Sequence, residues 1–564
     1  MIGELSFADV LVEISSDADL CDQDKRYWST SLRQMAKYLG MPVSLVPARI
    51  TAIGPKIAAL HPAQLNLNPK TFANHRATAR KALNWHRDKL GDYGRKGLVS
   101  ATYRDLLKQI ECRHHRDALS PFLRFLTSKD VDPGAIRDSH IQEYVQFRQE
   151  TSFKPIKPTT IRMLVRHLNN YSHKLAGWQS LALTEPVYAR RHQGPAWHDL
   201  PDGLKHDIEA ALKRRSRPRK LVTGKRLRGC QQSTLDRIRR QLMAFIRKAA
   251  SIGIPVSELS SLTSLLDPDC VEKVLEAYWP ETCDNPNSYT IELADTIVSL
   301  ARYDTDLDEV AVDRLGDMAA LLAEYRQTGM TEKNRTLVRQ VLNGDMWSKV
   351  LALPRMLMKQ AEAERMGKPL RAAVMAQLAV AVHLLSVAPV RMQNLSSIRL
   401  DENLVQPRGP GTAYLLVFPD YDVKNRQVLE FPLPERTTAT LDVYIRNHRP
   451  QLMHGQNHDF LFPAKRHAHK DPKTLGEQIS AMIYRELGEK ITPHQFRHAA
   501  GALILKRLPG NYELVRRVLG HKSLEATTRF YIGLESLTAA QQFGEMVEAM
   551  LPHDPVKQSI RNGR

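Results

Sequence analysis

Through its first two-thirds the chain repeats apolar residues at intervals of three and four, with little of the period-two alternation that marks strands. The pattern predicts a helix-rich molecule. One arrangement recurs: a basic amphipathic helix, an aliphatic-x-Pro turn, then a second short helix. It runs through 29–57 (STSLRQMAKYLGMPVSLVPARITAIGPKI) and again through 232–271 (QSTLDRIRRQLMAFIRKAASIGIPVSELSSLTSLLDPDCV). A looser version covers 119–145 (LSPFLRFLTSKDVDPGAIRDSHIQEYV). GMPVS (40–44) and GIPVS (253–257) fall at equivalent places, as a duplicated helical module would produce; chance similarity between amphipathic helices produces the same impression. A long apolar helix is expected at about 369–387. Its most apolar run, LAVAVHLLSVAPV (378–390), is too short to span a bilayer and contains His383.

Beyond 390 the texture changes. AYLLVF (413–418) and QVLEFPL (427–433) are the clearest strand signals, the second alternating with Leu429, Phe431 and Leu433 on one face. PDYDVKNR joins them, so a β-hairpin is expected with Lys424 near its tip and Arg426 beside it. Helices resume after about 435. In ITPHQFRHAAGALIL (491–505), Thr492 suits an N-cap and Pro493 the first helical position. Phe496, Ala500, Leu503 and Ile504 share the face expected to be core, and His494, Arg497, His498 and Gly501 fall on the opposite arc. That arc reads either as a solvated basic face or as an anion site at a helix N-terminus. LPGN (508–511) ends this helix, and YELVRRVLG (512–520) is a second one with Gly520 at its C′ position. Gly520 hands the chain to His521, and Ser523 caps a third helix, LEATTRFYIG, with Tyr531 towards its end.

At 564 residues the chain is too long for one core, and about two to four domains are expected. Hydrophobic residues make up 42%, enough for large cores, and no low-complexity tract interrupts them. Lys and Arg outnumber Asp and Glu by 81 to 61, a balance that favours a polyanionic partner: nucleic acid first, an anionic membrane surface second. KRRSRPRKLVTGKRLR (213–228) concentrates that charge, with nine basic residues and no acid. Lys213, Arg214, Arg215, Arg217, Arg219, Lys220, Lys225, Arg226 and Arg228 are candidates for gripping phosphates from a flexible linker. The five cysteines are scattered without CxxC spacing, as in a reducing compartment. The acidic N-terminus lacks the basic start of a secretory signal, so a soluble cytoplasmic protein, nucleoid-associated through its charge, is expected.

HQFRH (494–498), LGHKS (519–523) and TTRFYIG (527–533), in that order, resemble the C-terminal signature of the tyrosine recombinases, which include phage integrases and Xer-type recombinases. That signature runs His-x-x-Arg, Leu-Gly-His, then a nucleophilic Tyr nine or ten residues on; here the gap from His521 to Tyr531 is ten. The family's first catalytic Arg follows a long apolar helix, where PVRMQNLSSIRL supplies Arg391, and its Lys lies in a β-hairpin, where Lys424 stands. The resemblance covers about 345–550. It departs at Asn394, where the family often has Glu three residues after the first Arg.

The resemblance implies DNA cleavage through a phosphotyrosine. Arg391 and Arg497 would clamp the phosphate oxygens with forked, permanently charged hydrogen bonds, and His521 would donate another. Tyr531 would attack, with His494 taking its proton and Lys424 protonating the departing 5′ oxygen. Such chemistry needs no cofactor. The chain agrees in lacking a GxxxxGK[ST] loop, and neither His454 with His458 nor Cys112 with His114 and His115 makes a closed metal site. The fold class implied is mainly α with a small antiparallel sheet (α+β): a tyrosine recombinase-like catalytic core behind SAM-like helical domains. The expected divisions are 1–100 and 101–212 as two helical domains, the first a possible DNA-binding module, 213–229 as a basic linker, 230–340 as a core-binding domain, and 345–564 as the catalytic domain with a tail helix. That tail, ESLTAAQQFGEMVEAML (535–551), carries Ala540, Phe543, Val547, Met550 and Leu551 on one side, as for docking on a neighbouring protomer in a homo-tetramer on synapsed duplex DNA. The expected activity is that of an integrase or transposase of a mobile element, working with or without accessory recombination proteins. The alternatives are a DNA-binding architectural protein that has lost catalysis and a topoisomerase-like enzyme.

Overall fold

The computed structural model describes residues 5–88, 99–175, 178, 181–186, 194–220, 226–279, 282–327, 329–423, 427–465 and 469–550. The chain divides into two compact units. Met1–Val187 with Thr336–Leu524 form the first, and Tyr188–Arg335 with Glu525–Arg564 the second.

The first unit holds three cores. Phe7, Val10, Trp28, Leu32, Met35, Ile53 and Leu83 close the first, which Phe153 also joins, and Tyr103, Phe122, Leu126, Tyr144 and Leu168 close the second. The third and largest runs from Leu337 to Ala499. Its axis is the helix Pro369–Val387, buried on nearly every side, whose alanines let the helix Met346–Glu364 pack along it. This helix is long and apolar enough to cross a membrane, yet most of it lies inside this core.

Three short antiparallel strands, Leu404–Val405, Leu415–Phe418 and Leu429–Pro432, flank that core in chain order. Leu416 faces Phe431 and Phe418 faces Leu429, and all four side chains are buried. The expected hairpin is therefore present, with a third strand on its edge. Lys424 and Arg426 lie outside the described residues.

The second unit corrects the expected linker. Lys213–Arg215 form the last turn of the helix Asp202–Ser216, and Arg219–Lys220 pairs antiparallel with Arg226–Leu227. Leu204, Ile208, Ala211 and Leu212 recur at helical spacing and bury against Leu235, Ile238, Leu242 and Phe245. One core thus runs from Leu200 to Leu322, across the stretch read as a boundary. A run of positive charge resembles a linker in sequence, but the apolar stripe before it decides the fold.

The C-terminus carries a second correction. The expected pair of helices is one helix of 27 residues, Leu524–Met550, which runs straight through Gly533. Glycine there lowers helix propensity by only about 1 kcal/mol, too little to end a helix with good formers on both sides.

Candidate active site

The site starts from a connection. The long helix ends at Val387, and Ala388 and Val390 are buried as the chain turns. Arg391 follows as the N-cap of the short helix Met392–Ser396. Its half-buried position disfavours the charged form and lowers its pKa, as it would in any site built to receive an anion from solvent.

The helix Pro493–Arg507 opens as its sequence predicts. Thr492 caps it, with its backbone N–H donating to Gln495 Oε1 at 2.9 Å, and Pro493 holds the first position. The polar arc is only partly solvated: His494 is exposed, but the rest of the arc is buried. Arg497 is 5% exposed and His498 7%, as buried as Phe496 on the expected core face, while Ala500, Leu503 and Ile504 are only partly buried. Two buried carbonyls explain the difference. Arg497 donates from one terminal nitrogen to Pro389 O at 2.6 Å and from the other to Leu519 O at 2.5 Å. Pro389 precedes Arg391 by two residues, and Leu519 precedes His521 by two. Arg497 therefore ties together the two turns that carry its partners.

The second of those turns is Gly520, in the left-handed region at φ +57° as its C′ position requires. A β-carbon there would meet Leu429 Cδ2 at 2.8 Å, so any other residue would also have to displace the end of that side chain. The His521 N–H donates to Arg516 O at 3.0 Å, and Arg516 donates to His521 O at 3.2 Å. Glu513 holds Arg516 in a fork of 2.7 and 2.8 Å.

These elements bring Arg391, His494, Arg497 and His521 within electrostatic reach of one another. Burial lowers the His494 pKa, and Arg497 and Arg391 push it further down. Burial, then Arg497, Arg391 and His494, bring His521 to about 4. His498, whose ring meets His494 edge-on at 4.9 Å, is likewise brought to about 4 by burial, His494, Arg497 and His521. All three imidazoles are neutral at pH 7, and the permanent charges that shift them, Arg391 and Arg497, are positive. Such a pocket favours an anion, offering fixed guanidinium donors and neutral rings able to give or take a proton.

Sequence reasoning placed His498 on the right arc without a role; its spacing of one turn from His494 was the available signal. Asn394 is buried, and its Nδ2 donates to Asp422 O at 3.2 Å, tethering the connection that leads to position 424. Tyr531 belongs to the second unit, where its ring is 2% exposed.

The basic candidates separate. Arg215 is buried, with Nε 2.6 Å from Asp304 and its terminal nitrogens on Ser299, so it braces the fold rather than facing solvent. Arg214 also bonds Asp304, at 3.1 Å, but stays exposed, as do Lys213, Arg217 and Arg228. Arg219, Lys220 and Arg226 lie in the paired strands, and Lys225 lies outside the described residues. Among the described residues, no group of three or more His, Cys, Asp or Glu is arranged to hold a metal.

The mainly helical unit, its three-stranded edge and the cluster of two arginines and neutral histidines are the features that the resemblance to the tyrosine recombinases leads one to expect. Residues 356–536 match the phage integrase family. The chain is similar to the tyrosine recombinase XerD of Yersinia pestis, at 26% identity over 296 residues, covering 47% of this chain and 92% of that one. It is also similar to XerD of Proteus mirabilis, at 30% identity over 140 residues, but there it spans only 40% of the relative's length and 24% of its own. Among solved structures, the XerH site-specific recombinase bound to its difH substrate aligns with 76% of this chain and 98% of its own, at 11% identity and a TM-score of 0.34.

Proposed function

We propose that this protein is a site-specific DNA recombinase that cuts and rejoins duplex DNA through a 3′-phosphotyrosine, as the integrase or transposase of a mobile element. One observation carries the reading: Arg391, His494, Arg497 and His521 lie within electrostatic reach of one another, and the motif that supplies three of them continues to Tyr531.

A phosphodiester repels nucleophiles with its own charge, and its transition state gathers more charge on the non-bridging oxygens. Preorganised donors in a pocket of low dielectric stabilise that charge by about 3 kcal/mol each. Arg391 and Arg497 take this role, with His521 donating as a neutral imidazole. Tyr531 Oη attacks phosphorus and loses its proton to His494, which burial and then the neighbouring Arg497 and Arg391 keep neutral and able to accept. The P–O5′ bond breaks, and the departing oxygen takes a proton from Lys424. Reversal of these steps by another 5′ hydroxyl rejoins the strand, and the phosphotyrosine stores the bond energy between them. The exposed Phe543, Met546 and Met550 at the end of the Leu524–Met550 helix suit docking on a second protomer of a synaptic tetramer in the bacterial cytoplasm.

The test is covalent trapping. Wild-type protein on DNA without metal or ATP is expected to yield protein–DNA adducts at defined sites, and Tyr531→Phe none. Adducts that persist in Tyr531→Phe refute the assigned nucleophile. Salt-sensitive binding without adducts from either protein would favour an architectural role, a reading the burial of Tyr531 also fits.

A further inference from the structure

Within the first unit, the core that begins at Phe7 is not separate from the catalytic core. The loop 61–67 is a compact turn, closed by a bond from Leu67 N to Pro62 O at 2.9 Å and packed on that first core through Leu60, Leu65 and Leu67. From this turn, two side chains reach the end of the helix Pro472–Leu487. The His61 ring meets that of Tyr484 with centroids 5.0 Å apart. Gln64 Nε2 donates to Gly488 O at 3.2 Å and to Glu489 Oε1 at 3.3 Å. Gly488 ends the helix in the left-handed region, at φ +78°, where glycine is favoured. The space asks for glycine a second time: a β-carbon would lie 2.8 Å from His61 Nδ1 and 2.8 Å from Gln64 Cγ.

This end of the helix leads directly to the candidate active site. Glu489, Lys490 and Ile491 alone separate Gly488 from the Thr492 cap of the helix that carries His494 and Arg497. The helix Pro472–Leu487 also packs on Met392–Ser396, which Arg391 caps, and on Pro493–Arg507. Its Gly476 touches both: a β-carbon there would have Pro493 Cγ at 3.7 Å and Met392 Cε at 3.8 Å. One helix therefore braces both arginine-bearing elements, and the 61–67 turn holds that helix at its C-terminal end. The contact is a patch rather than a continuous core. Gln64, Tyr484 and Lys490 stay exposed, and an open cleft lined by Asn66, Lys349 and Glu489 lies beside it.

We propose that His61 and Gln64 are positioning residues for the active site: through them the N-terminal module fixes the connection 488–492, and with it the start of the helix bearing His494 and Arg497. The proposal rests on reading the protein as a recombinase. Both residues act through Gly488, Glu489 and Tyr484 rather than on the phosphate. Loss of two hydrogen bonds and a ring contact should make local opening about tenfold more frequent. A displacement of about 1 Å at a reacting group slows a reaction by up to about 100-fold.

The test exchanges charge across the contact in the full chain. Gln64→Glu sets a carboxylate against the Gly488 carbonyl and the Glu489 carboxylate. The amides of Gly488, Ile491 and Thr492 are each hydrogen-bonded in the connection and report on it. In Gln64→Glu they are expected to exchange about tenfold faster, and covalent adducts to form about 10–100-fold more slowly at unchanged DNA affinity. Adding Glu489→Lys restores an attraction and is expected to return exchange and adduct rate most of the way to wild type. Residues that do not touch would instead give additive effects. Additive effects, unchanged exchange in Gln64→Glu, or faster exchange with an unchanged adduct rate each overturn the proposal. Should Gln64→Glu misfold, His61→Ala and His61→Phe replace it: exchange is expected to rise in the first and to recover in the second, which keeps a ring on Tyr484, and equal exchange in both overturns the proposal. Exchange is measured without DNA. A wild type that forms no adducts therefore fails the recombinase reading, while exchange still decides whether the turn holds the connection.

Discussion

Arg497 carries two burdens, and removing it separates them. In Arg497→Ala the carbonyls of Pro389 and Leu519 lose donors at 2.6 and 2.5 Å in a site where the side chain is 5% exposed. Each buried acceptor left unpaired costs about 1–3 kcal/mol, so the two turns should loosen by about 2–6 kcal/mol together. The loss is local, because the bonds end on the turns before Arg391 and His521 rather than on the large core. Hydrogen exchange reads it directly: amides of 388–392 and 519–522 should exchange at least about 30-fold faster, the factor that corresponds to about 2 kcal/mol. Amides of the helix Pro369–Val387 should change little. Cleavage should fall further than the loosening alone explains, since a lost transition-state donor costs about 10²–10³-fold. Arg497→Lys retains the charge, but one ammonium does not span both carbonyls, so it should behave more like Ala than like Arg. Unchanged exchange in both turns of Arg497→Ala would refute the argument that this residue assembles the site.

Gly520→Ala should destabilise the catalytic unit by about 1–2 kcal/mol for the left-handed backbone alone, and more for the clash with Leu429; a melt equal to wild type would refute it. Acid should also weaken this unit. His498 and His521 have folded pKa values of about 4, below the ordinary 6.5, so the unfolded chain binds more protons between those values and stability rises with pH across that window. After allowance for partial exposure and mutual coupling, the pair contributes on the order of 1–3 kcal/mol, fully present above pH 6.5 and lost as pH falls towards 4; a urea midpoint flat from about pH 7 to 4.5 would exclude it. Asn394→Ala frees the Asp422 carbonyl and should lower cleavage while leaving DNA affinity unchanged, whereas equal loss of both would place the effect in binding. Deletion of 535–564 should abolish synaptic tetramers and spare binding by the monomer, as native gels on trapped complexes would register.

Local rules settled much of this protein from the sequence. Thr492 and Pro493 start a helix, Gly520 ends one in the left-handed region, and the alternation of Leu429 and Phe431 makes a strand, because capping, backbone strain and period-two burial act over a few residues. The motif order from Arg391 to Tyr531 was legible for the same reason, each piece being short and contiguous. Other features depended on partners distant in the chain. Arg497 and His498 occupy an arc that amphipathicity assigns to solvent, and the carbonyls of Pro389 and Leu519, 108 and 22 residues away, give Arg497 the partners that its burial needs. Arg215 looks like one more linker charge until Asp304, 89 residues on, claims it. The Asp202–Ser216 helix joins the core that follows it because its leucines meet those of Gln232–Ser251. Propensity and spacing fix what a segment can become, but the burial of a charge depends on whether the folded chain brings it a partner, and that is decided by tertiary structure.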